Sequence, residues 1–302
     1  MKLSEVIDDL MGELVCDGTF HTLEYCTSHL EVPFLTFMEN PKFIDKISPF
    51  ARCILCKKEM VKMMPQNVEG IFVTDTPKEM FHLVHNKLCG NITYSKMLST
   101  NSYGNGCIIS ESAHIAKEGV IIGNNVVIED NVTIYSNVSI GDDCIIHSGA
   151  VIGGKAFTFA RASGSRIIGL QDVGKVVIGD RVEIFPQVHI AKGILPTDIT
   201  CIGDDVKIDA LVYVGHGVHV GARTLIAAGA LIGGNTKIGC DSWIGVNATL
   251  SNRLVVGNRV RVSLGAVVTK DVMDNQTVTG NFAVEHKVFL ENLKKSIKSE
   301  TE

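Results

Sequence analysis

Residues 202–238 read IGDDVKIDALVYVGHGVHVGARTLIAAGALIGGNTKI, and every sixth residue of this stretch is aliphatic. The same spacing continues to Val268, and it also runs through the earlier ranges 122–152 and 178–190. The residue four positions after each aliphatic one is small or β-branched almost throughout. A period of six that holds over so long a run indicates an internal structural repeat.

Each hexad is expected to form a short strand and a turn, and three hexads make one triangular coil of about 18 residues. The aliphatic residue points inward, the small residue fits near the corner, and the backbone pairs with neighbouring coils at roughly 4.8 Å. One coil cannot bury its own apolar face, so the coils must stack. The repeat predicts a mainly β protein, a parallel β-helix of hexapeptide repeats with about seven coils. Repeats of this class wind left-handed.

The repeat occupies only the middle of the chain, which predicts three parts. Residues 1–100 alternate helical stretches, at about 3–13 and 77–88, with short apolar runs, as in a small α/β domain. The β-helix is placed at residues 101–280. Residues 281–302 are expected to form a short C-terminal helix with one apolar face, and such an isolated helix needs a partner, for example a trimeric bundle.

The hexad register is interrupted at residues 153–175, which read GGKAFTFARASGSRIIGLQDVGK. A loop this long in a tight solenoid is usually functional or part of an interface. A neutral surface insertion is the alternative.

The overall composition favours a packed protein without an obvious polyanionic partner. Hydrophobic residues make up 45% and charged residues 20%, and the formal net charge of -5 does not indicate nucleic-acid binding. The sequence contains no apolar run of about 18 residues, so we expect no membrane span. The first residues lack the apolar region of a signal peptide. We expect a cytoplasmic protein whose scattered cysteines are mostly small buried hydrophobes.

Hexad counting places three residues suited to acyl transfer on one ridge of the β-helix. His216 and Gly234 occupy the same position in consecutive coils, and Arg253 follows on the same edge one coil later. Acyl transfer to an amine requires a base that accepts the amine proton and an N–H group that stabilises the oxyanion. Imidazole titrates near physiological pH and suits the base. Taken alone, a histidine in a glycine-rich turn is more often a plain surface residue.

Four segments resemble the UDP-3-O-acylglucosamine N-acyltransferases of lipid A synthesis. Residues 208–221, IDALVYVGHGVHVG, are similar to the active-site coil of that family, and residues 227–239, AAGALIGGNTKIG, continue the match. The loop around 157–160 and the segment 37–43, FMENPKF, which resembles the uridine-binding motif, complete it. The resemblance spans most of the chain in order, and it is weakest before residue 30 and after residue 280.

The resemblance implies site residues. His216 would be the general base and Gly234 the oxyanion donor. Phe37 and Phe43 would sandwich a pyrimidine ring, a contact worth roughly 1–3 kcal/mol per base, and Asn40 would bind the edge of that ring. It also implies a homotrimer with active sites in the clefts between subunits.

The chain departs from the family near the sugar. Of the family's Asp-Asn-Leu-x-Gln, Asp209 remains as a substrate-binding candidate, whereas Ala210 and Tyr213 replace the Asn and Gln. Arg253 stands where the family has a second His, and a guanidinium can still pair with a phosphate. The reaction type survives these departures, but the sugar and the nucleotide, UDP or dTDP, stay open.

The acyl donor is also open between two thioesters of phosphopantetheine, acyl-CoA and acyl carrier protein. Residues 266–272, AVVTKDV, resemble the terminal coils of CoA-dependent hexapeptide acetyltransferases, in which a lysine such as Lys270 can approach the nucleotide phosphate of CoA. We expect an N-acyltransferase for lipid A or surface-glycan precursors, with no permanently bound cofactor and no metal.

Two other classes of protein remain as alternatives. A metal-dependent β-helix resembling the γ-class carbonic anhydrases needs three converging histidines, and only His216 and His219 come close in spacing. A non-catalytic β-helix that serves as a scaffold or binding protein would have no need for His216 opposite Gly234.

Overall fold

The computed structural model describes residues 1–95, 100–280, 284–288 and 290–291. The chain first forms a five-stranded sheet. Four of its strands are parallel, and the first strand along the chain pairs antiparallel at one edge. In sheet order the strands are Glu13–Cys16, Gly70–Val73, Ala51–Cys56, Phe34–Met38 and Thr22–Leu23. The α-helices are Leu3–Val6, Pro77–Leu88 and Ile92–Ser95, and the 3₁₀ helices are Pro41–Lys46 and Lys58–Met63.

The helix predicted at 77–88 is confirmed, whereas the helix predicted at 3–13 is wrong beyond Val6. Residues 13–16 form a strand instead, paired with Gly70–Val73. The reason is tertiary: a Cβ atom at Gly12 would lie 2.4 Å from the Phe72 ring, so the chain here packs directly on the sheet. Sheet pairing therefore overrides the local amphipathic pattern.

Three parallel sheets form the sides of the β-helix, and we call them the first, second and third face. The first face contains Ser102–Tyr103, Val120–Ile122, Val138–Ile140, Lys175–Ile178, Ile199–Ile202, His219–Val220, Lys237–Ile238 and Val255–Val256. The second face contains Ile108–Ile109, Val127–Ile128, Ile145–Ile146, Glu183–Ile184, Lys207–Ile208, Leu225–Ile226, Trp243–Ile244, Arg261–Val262 and Thr277–Val278. The third face contains His114–Ile115, Thr133–Ile134, Val151–Gly154, His189–Ala191, Tyr213–Val214, Leu231–Ile232, Thr249–Leu250 and Val267–Val268.

The faces show why the hexad works. The aliphatic residues at spacing six point inward and are buried from Ile122 to Val268, as are the small residues at the corners. Three residues after each aliphatic one, the backbone takes a positive φ at most corners, where Asn, Asp and Gly are common. The predicted parallel β-helix is confirmed, but with more than seven coils, because the first, second and third faces have eight, nine and eight strands. The extra coils begin before Ile122, where the pattern is weaker.

The interruption at 153–175 forms an antiparallel hairpin of Phe159–Arg161 and Ile167–Gly169, with a 3₁₀ turn at Ser163–Ser165. This insertion packs on the helix Pro77–Leu88. Asn86 donates to the Gly169 carbonyl and accepts from the Gln171 N–H, at 2.9 and 3.0 Å. Glu79 accepts hydrogen bonds from Ser163. The insertion therefore joins the N-terminal part to the β-helix.

The predicted C-terminal helix falls largely outside the described residues. Helical backbone is present at 286–288 and 290–291. Residues 281–283, 289 and 292–302 are not described, so the predicted apolar face of this helix stays a prediction. Within the described ranges, no helix is both long and apolar enough to cross a membrane.

Candidate functional site

A cleft of about 820 Å³ opens between the N-terminal sheet and the β-helix, and four predicted site residues line it. Phe37, Asn40 and Phe43 come from the N-terminal side, and Arg253 comes from a turn of the β-helix. The chain reaches this arrangement because Phe37 is the penultimate residue of the strand Phe34–Met38 and the residues after that strand turn into the 3₁₀ helix Pro41–Lys46.

The side chains of Phe37 and Phe43 differ in how tightly their surroundings hold them. Phe37 is held in an aromatic group, with its ring centre 5.0 Å from that of Phe81 and 6.4 Å from that of Tyr25. Phe43 is 36% exposed, and the Lys42 ammonium lies 4.9 Å from its ring centre. One rigid and one accessible ring therefore face the same cleft.

Asn40 has a structural role that leaves part of its amide available. It caps the 3₁₀ helix, and its Oδ1 accepts a hydrogen bond from the Lys42 N–H at 3.0 Å. The Nδ2 group makes no hydrogen bond within the described parts of the chain, so it can donate to a ligand in the cleft.

His216 and Gly234 stack in neighbouring coils, as the hexad count predicts. They lie in the turns that follow the third face, and we call this edge the third corner. The Asn235 N–H donates to the His216 carbonyl at 2.7 Å, which fixes the stacking. A Cβ atom at Gly234 would lie 2.5 Å from His216 Nε2, so the imidazole packs directly against the glycine. Only glycine allows this approach.

The environment of His216 favours a neutral imidazole. Burial lowers the pKa of His216, and the positive charge of Arg253 lowers it further. Its Nδ1 atom is buried and has no hydrogen-bond partner among the residues that the structure describes. A neutral imidazole can accept a proton, as a general base must.

The Gly234 N–H is available as a donor. In most turns after the first face, the equivalent N–H group is capped by a side chain of the next coil; the Asn124 N–H, for example, donates to Asp142 Oδ1 at 2.7 Å. In the coil after Gly234, Asn252 Oδ1 instead accepts from the Ser251 hydroxyl at 3.3 Å. Across the described residues, no acceptor takes the Gly234 N–H.

Arg253 connects the cleft to this corner. Its N–H donates to the Gly234 carbonyl at 2.9 Å, and its guanidinium carbon lies 5.9 Å from the centre of the Tyr25 ring. Its backbone has a φ of 62°, a conformation that is uncommon for a long side chain.

The remaining predicted site residues lie apart from the cleft. Lys270 is exposed on the third corner, 18 residues after Asn252 and hence one coil further along. Asp209 lies in a turn after the second face, on a different corner. Its carboxylate accepts from the N–H groups of Ala210 and Ala228, at 2.7 and 3.1 Å. A single chain therefore does not bring Asp209 to His216.

Several cleft residues were not predicted from the sequence. Glu24, Tyr25, His82 and Asp198 line it, and so does Lys237. For Asp198 the sequence offers one signal. Consecutive inner residues of the hexad repeat are normally six apart, but Ile190 and Ile202 are twelve apart, so the segment between them, which contains Asp198, is longer than an ordinary turn.

The structure also bears on a metal-dependent alternative. In the described parts of this single chain, no three His, Cys, Asp or Glu side chains are grouped so that they could hold a metal ion. His219 lies on the first face, paired with Cys201 and Lys237.

Comparisons with known proteins agree with the fold. A family model described as bacterial transferase hexapeptide (six repeats) matches residues 119–154 and 202–234. The chain is similar to two solved UDP-N-acetylglucosamine acyltransferases. For the Campylobacter jejuni protein the TM-score is 0.54 at 23% identity, over 66% of this chain and 79% of that one. For the Arabidopsis protein it is 0.53 at 23% identity, over 65% and 67%. The predicted left-handed β-helix is confirmed.

Curated relatives agree with the resemblance in sequence. The UDP-3-O-acylglucosamine N-acyltransferase of Delftia acidovorans is 32% identical over 139 residues, which is 46% of this chain and 41% of that protein. The enzyme of the same name from Coxiella burnetii is 44% identical over 79 residues, 26% of this chain and 22% of that protein. The chain thus matches less than half the length of these relatives. The resemblance to this family is confirmed.

Proposed function

We propose that this hexapeptide-repeat protein, which is similar to the UDP-3-O-acylglucosamine N-acyltransferases, is itself an N-acyltransferase. It transfers an acyl group from acyl-CoA or an acyl carrier protein to the amine of a UDP- or dTDP-linked amino sugar. The observation that carries the proposal is the contact of His216, whose pKa burial lowers, with Gly234, whose N–H has no acceptor among the described residues, beside a cleft that holds Phe37, Asn40 and Phe43.

The proposed chemistry uses two groups of the third corner. The amine nitrogen attacks the thioester carbon while His216 accepts its proton. The Gly234 N–H donates to the oxyanion that forms on the carbonyl oxygen. The carbon–sulfur bond then breaks, and the leaving thiolate takes the proton back from the imidazolium of His216. The products are the N-acylated sugar and a free thiol.

The cleft offers groups for the base and for the diphosphate of a pyrimidine nucleotide. Phe43 can stack on the base against the fixed ring of Phe37, and Asn40 Nδ2 can donate to its edge. Lys237 and Arg253 line the same cleft and form no ion pair within the described residues. Two unpaired cations suit a diphosphate.

The donor is proposed to lie along the third corner. His216, Gly234, Asn252 and Lys270 follow one another there at intervals of 18 residues. Three coils at roughly 4.8 Å each place Lys270 about 14 Å from His216. A phosphopantetheine arm on this ridge would bring its thioester to His216 and its phosphate to Lys270.

We expect a cytoplasmic homotrimer that acts on lipid A or surface-glycan precursors. Exposed apolar residues on the third face and the corner before it support self-association, because such patches are rare on monomers; they are Leu211, Leu231, Leu264 and Val267. In a trimer, Asp209 of a second copy could join the site that one chain leaves without it.

Calorimetry tests the proposal at its acceptor and donor sites. We expect UDP or dTDP to bind, and binding to be lost in Phe43→Ala. Tyr103→Ala, which removes another half-exposed ring on the first coil, should leave binding unchanged. Titration with CoA and with acyl carrier protein identifies the donor. If neither pyrimidine nucleotide binds, the acceptor assignment is wrong.

A further inference from the structure

The floor of the cleft carries two carboxylates without a cationic partner. Glu24 is only 8% exposed; its Oε1 accepts from the Tyr25 N–H at 2.9 Å and its Oε2 from the Thr197 hydroxyl at 2.8 Å. Asp198 is half-buried, and its Oδ2 accepts from the Leu195 N–H at 3.1 Å. In the described parts of the chain, no Lys, Arg or His forms an ion pair with either acid.

The hydrogen bond from Thr197 to Glu24 joins the β-helix to the N-terminal part, but it needs no negative charge, and burying a carboxylate without a cation is unfavourable. Burial raises the pKa of Glu24 to about 7, and the neighbouring Asp198 contributes. Burial also raises the pKa of Asp198. Acids perturbed in this way inside a cleft are typical of ligand sites.

A second observation in the same cleft points to a ligand. His82, on the helix Pro77–Leu88, lines the cleft and is only 5% exposed. Its Nδ1 atom has no hydrogen-bond partner among the described residues. Buried polar groups are nearly always paired, so an unpaired imidazole in the lining of the cleft indicates a place for a polar group of a bound molecule.

The position of the acids indicates which part of a ligand they meet. Tyr25 contacts the Phe37 ring on one side and lies under Arg253 on the other. Tyr25 therefore lies between the nucleotide pocket and the turn that carries Arg253, and Glu24, its neighbour in the chain, lines the same cleft. In a nucleotide sugar, the sugar occupies this interval.

We propose that Glu24 and Asp198 bind the protonated amine of the acceptor sugar, which makes the cleft selective for a free amino sugar over its N-acylated product. This inference rests on the proposed function. An ammonium group supplies the missing positive charge and up to three donors to the two carboxylates. Before the reaction the ammonium gives one proton to a carboxylate of the pair, and the neutral amine then attacks the thioester while His216 accepts its second proton. The acylated nitrogen carries no charge, so the product loses the contact and leaves. The resemblance to the lipid A family is weakest before residue 30, so it does not suggest a role for Glu24.

The test measures the affinity of the full-length protein for UDP, UDP-glucosamine and UDP-N-acetylglucosamine by calorimetry at pH 7. We expect the wild type to prefer UDP-glucosamine to UDP-N-acetylglucosamine by about tenfold or more, the size of one charge-assisted contact. Glu24→Gln should abolish the preference and Asp198→Asn should reduce it, with UDP affinity unchanged. Glu31→Gln, an exposed acid of the same domain, is the matched control.

Each outcome decides the matter. If UDP binds but the wild type shows no preference for UDP-glucosamine, or if Glu24→Gln retains that preference, Glu24 and Asp198 do not bind the amine. The proposed function would then still stand. If neither UDP nor dTDP binds the wild type, the nucleotide pocket and this inference fail together; if only dTDP binds, the same comparison is made with the two dTDP sugars. Thermal unfolding of each variant shows that a lost preference is not a lost fold.

Discussion

Arg253 lies over the ring of Tyr25, with 5.9 Å between the guanidinium carbon and the ring centre. The contact joins a turn of the β-helix to the N-terminal domain at the cleft. The same arginine lowers the pKa of His216, although burial of the imidazole is the larger cause. One cation can therefore hold the acceptor phosphate and keep the base neutral.

Arg253→Asn should move the acid limb of the kcat/KM profile to higher pH. The substitution removes a charge that lowers the pKa of His216, so this pKa rises and more imidazole is protonated at a given pH. Asn accepts the positive φ of this position. We also expect KM for the nucleotide sugar to rise about tenfold, because a phosphate contact is lost.

The control for this experiment is Arg259→Asn, an arginine of similar φ in another turn. It should leave the pH profile unchanged. If the acid limb of the kcat/KM profile does not move in Arg253→Asn, the charge of Arg253 does not affect the pKa of the base.

Gly234→Ala should reduce kcat by about 100-fold while the protein stays folded. The added methyl group would lie 2.5 Å from His216 Nε2, so the imidazole must move, and a displacement of about 1 Å can cost that much. Steady-state kinetics and circular dichroism measure the two effects. Gly90→Ala, where a Cβ atom meets no neighbour, is the control. Normal activity in Gly234→Ala would contradict the packing argument.

Ile244→Ala should destabilise the protein by about 2–5 kcal/mol, because Ile244 is a fully buried inner residue of the second face. Val255→Ala removes an aliphatic side chain that is 52% exposed and should cost less than about 1 kcal/mol. Urea unfolding compares them. Equal losses would mean that inward and outward positions of the hexad do not differ in energy.

His147 should stabilise the fold more at pH 6 than at pH 8.5. It lies 2.9 Å from Glu129 and 3.0 Å from Glu183. Burial opposes its protonation, but hydrogen bonds to Glu183 and Glu129 outweigh it and raise the pKa of His147. A raised pKa gives stability that is present below the ordinary value of 6.5 and lost as the pH rises through the folded value.

His147→Gln measures this contribution. Because the carboxylates are partly exposed, we expect a loss of about 1 kcal/mol or less at pH 6 and a smaller one at pH 8.5. A hydrogen bond from His147 also lowers the pKa of Glu129, so the benefit declines again in acid, as that carboxylate protonates. Urea midpoints of both proteins at the two pH values give the comparison, and a pH-independent difference would show that His147 is neutral.

The β-helix was predictable because its determinants are local and repeated. Each hexad fixes its own inner residue, and stacking needs only the next coil, so Ile122 to Val268 could be assigned without tertiary information. The helix expected at 3–13 failed because Gly12 packs on Phe72, a contact that no local pattern contains.

The geometry of the candidate site was predictable in part. The stacking of His216 and Gly234 was predicted because hexad counting gives it, whereas their catalytic roles stay a prediction. Glu24 and His82 were missed because they reach the cleft only when the N-terminal domain docks, through contacts such as Thr197 with Glu24. Asp209 was assigned by resemblance alone, and the triangular cross-section places it on another corner.

Acyl transfer by His216→Ala is the most direct test of the central claim. Wild-type protein, a UDP- or dTDP-linked amino sugar and an acyl-CoA or acyl carrier protein thioester should yield the N-acyl sugar nucleotide, detected by mass spectrometry. The variant should keep nucleotide affinity and lose about 100-fold or more in kcat. An equally active His216→Ala protein, or a wild type that binds both substrates and transfers nothing, would contradict the account.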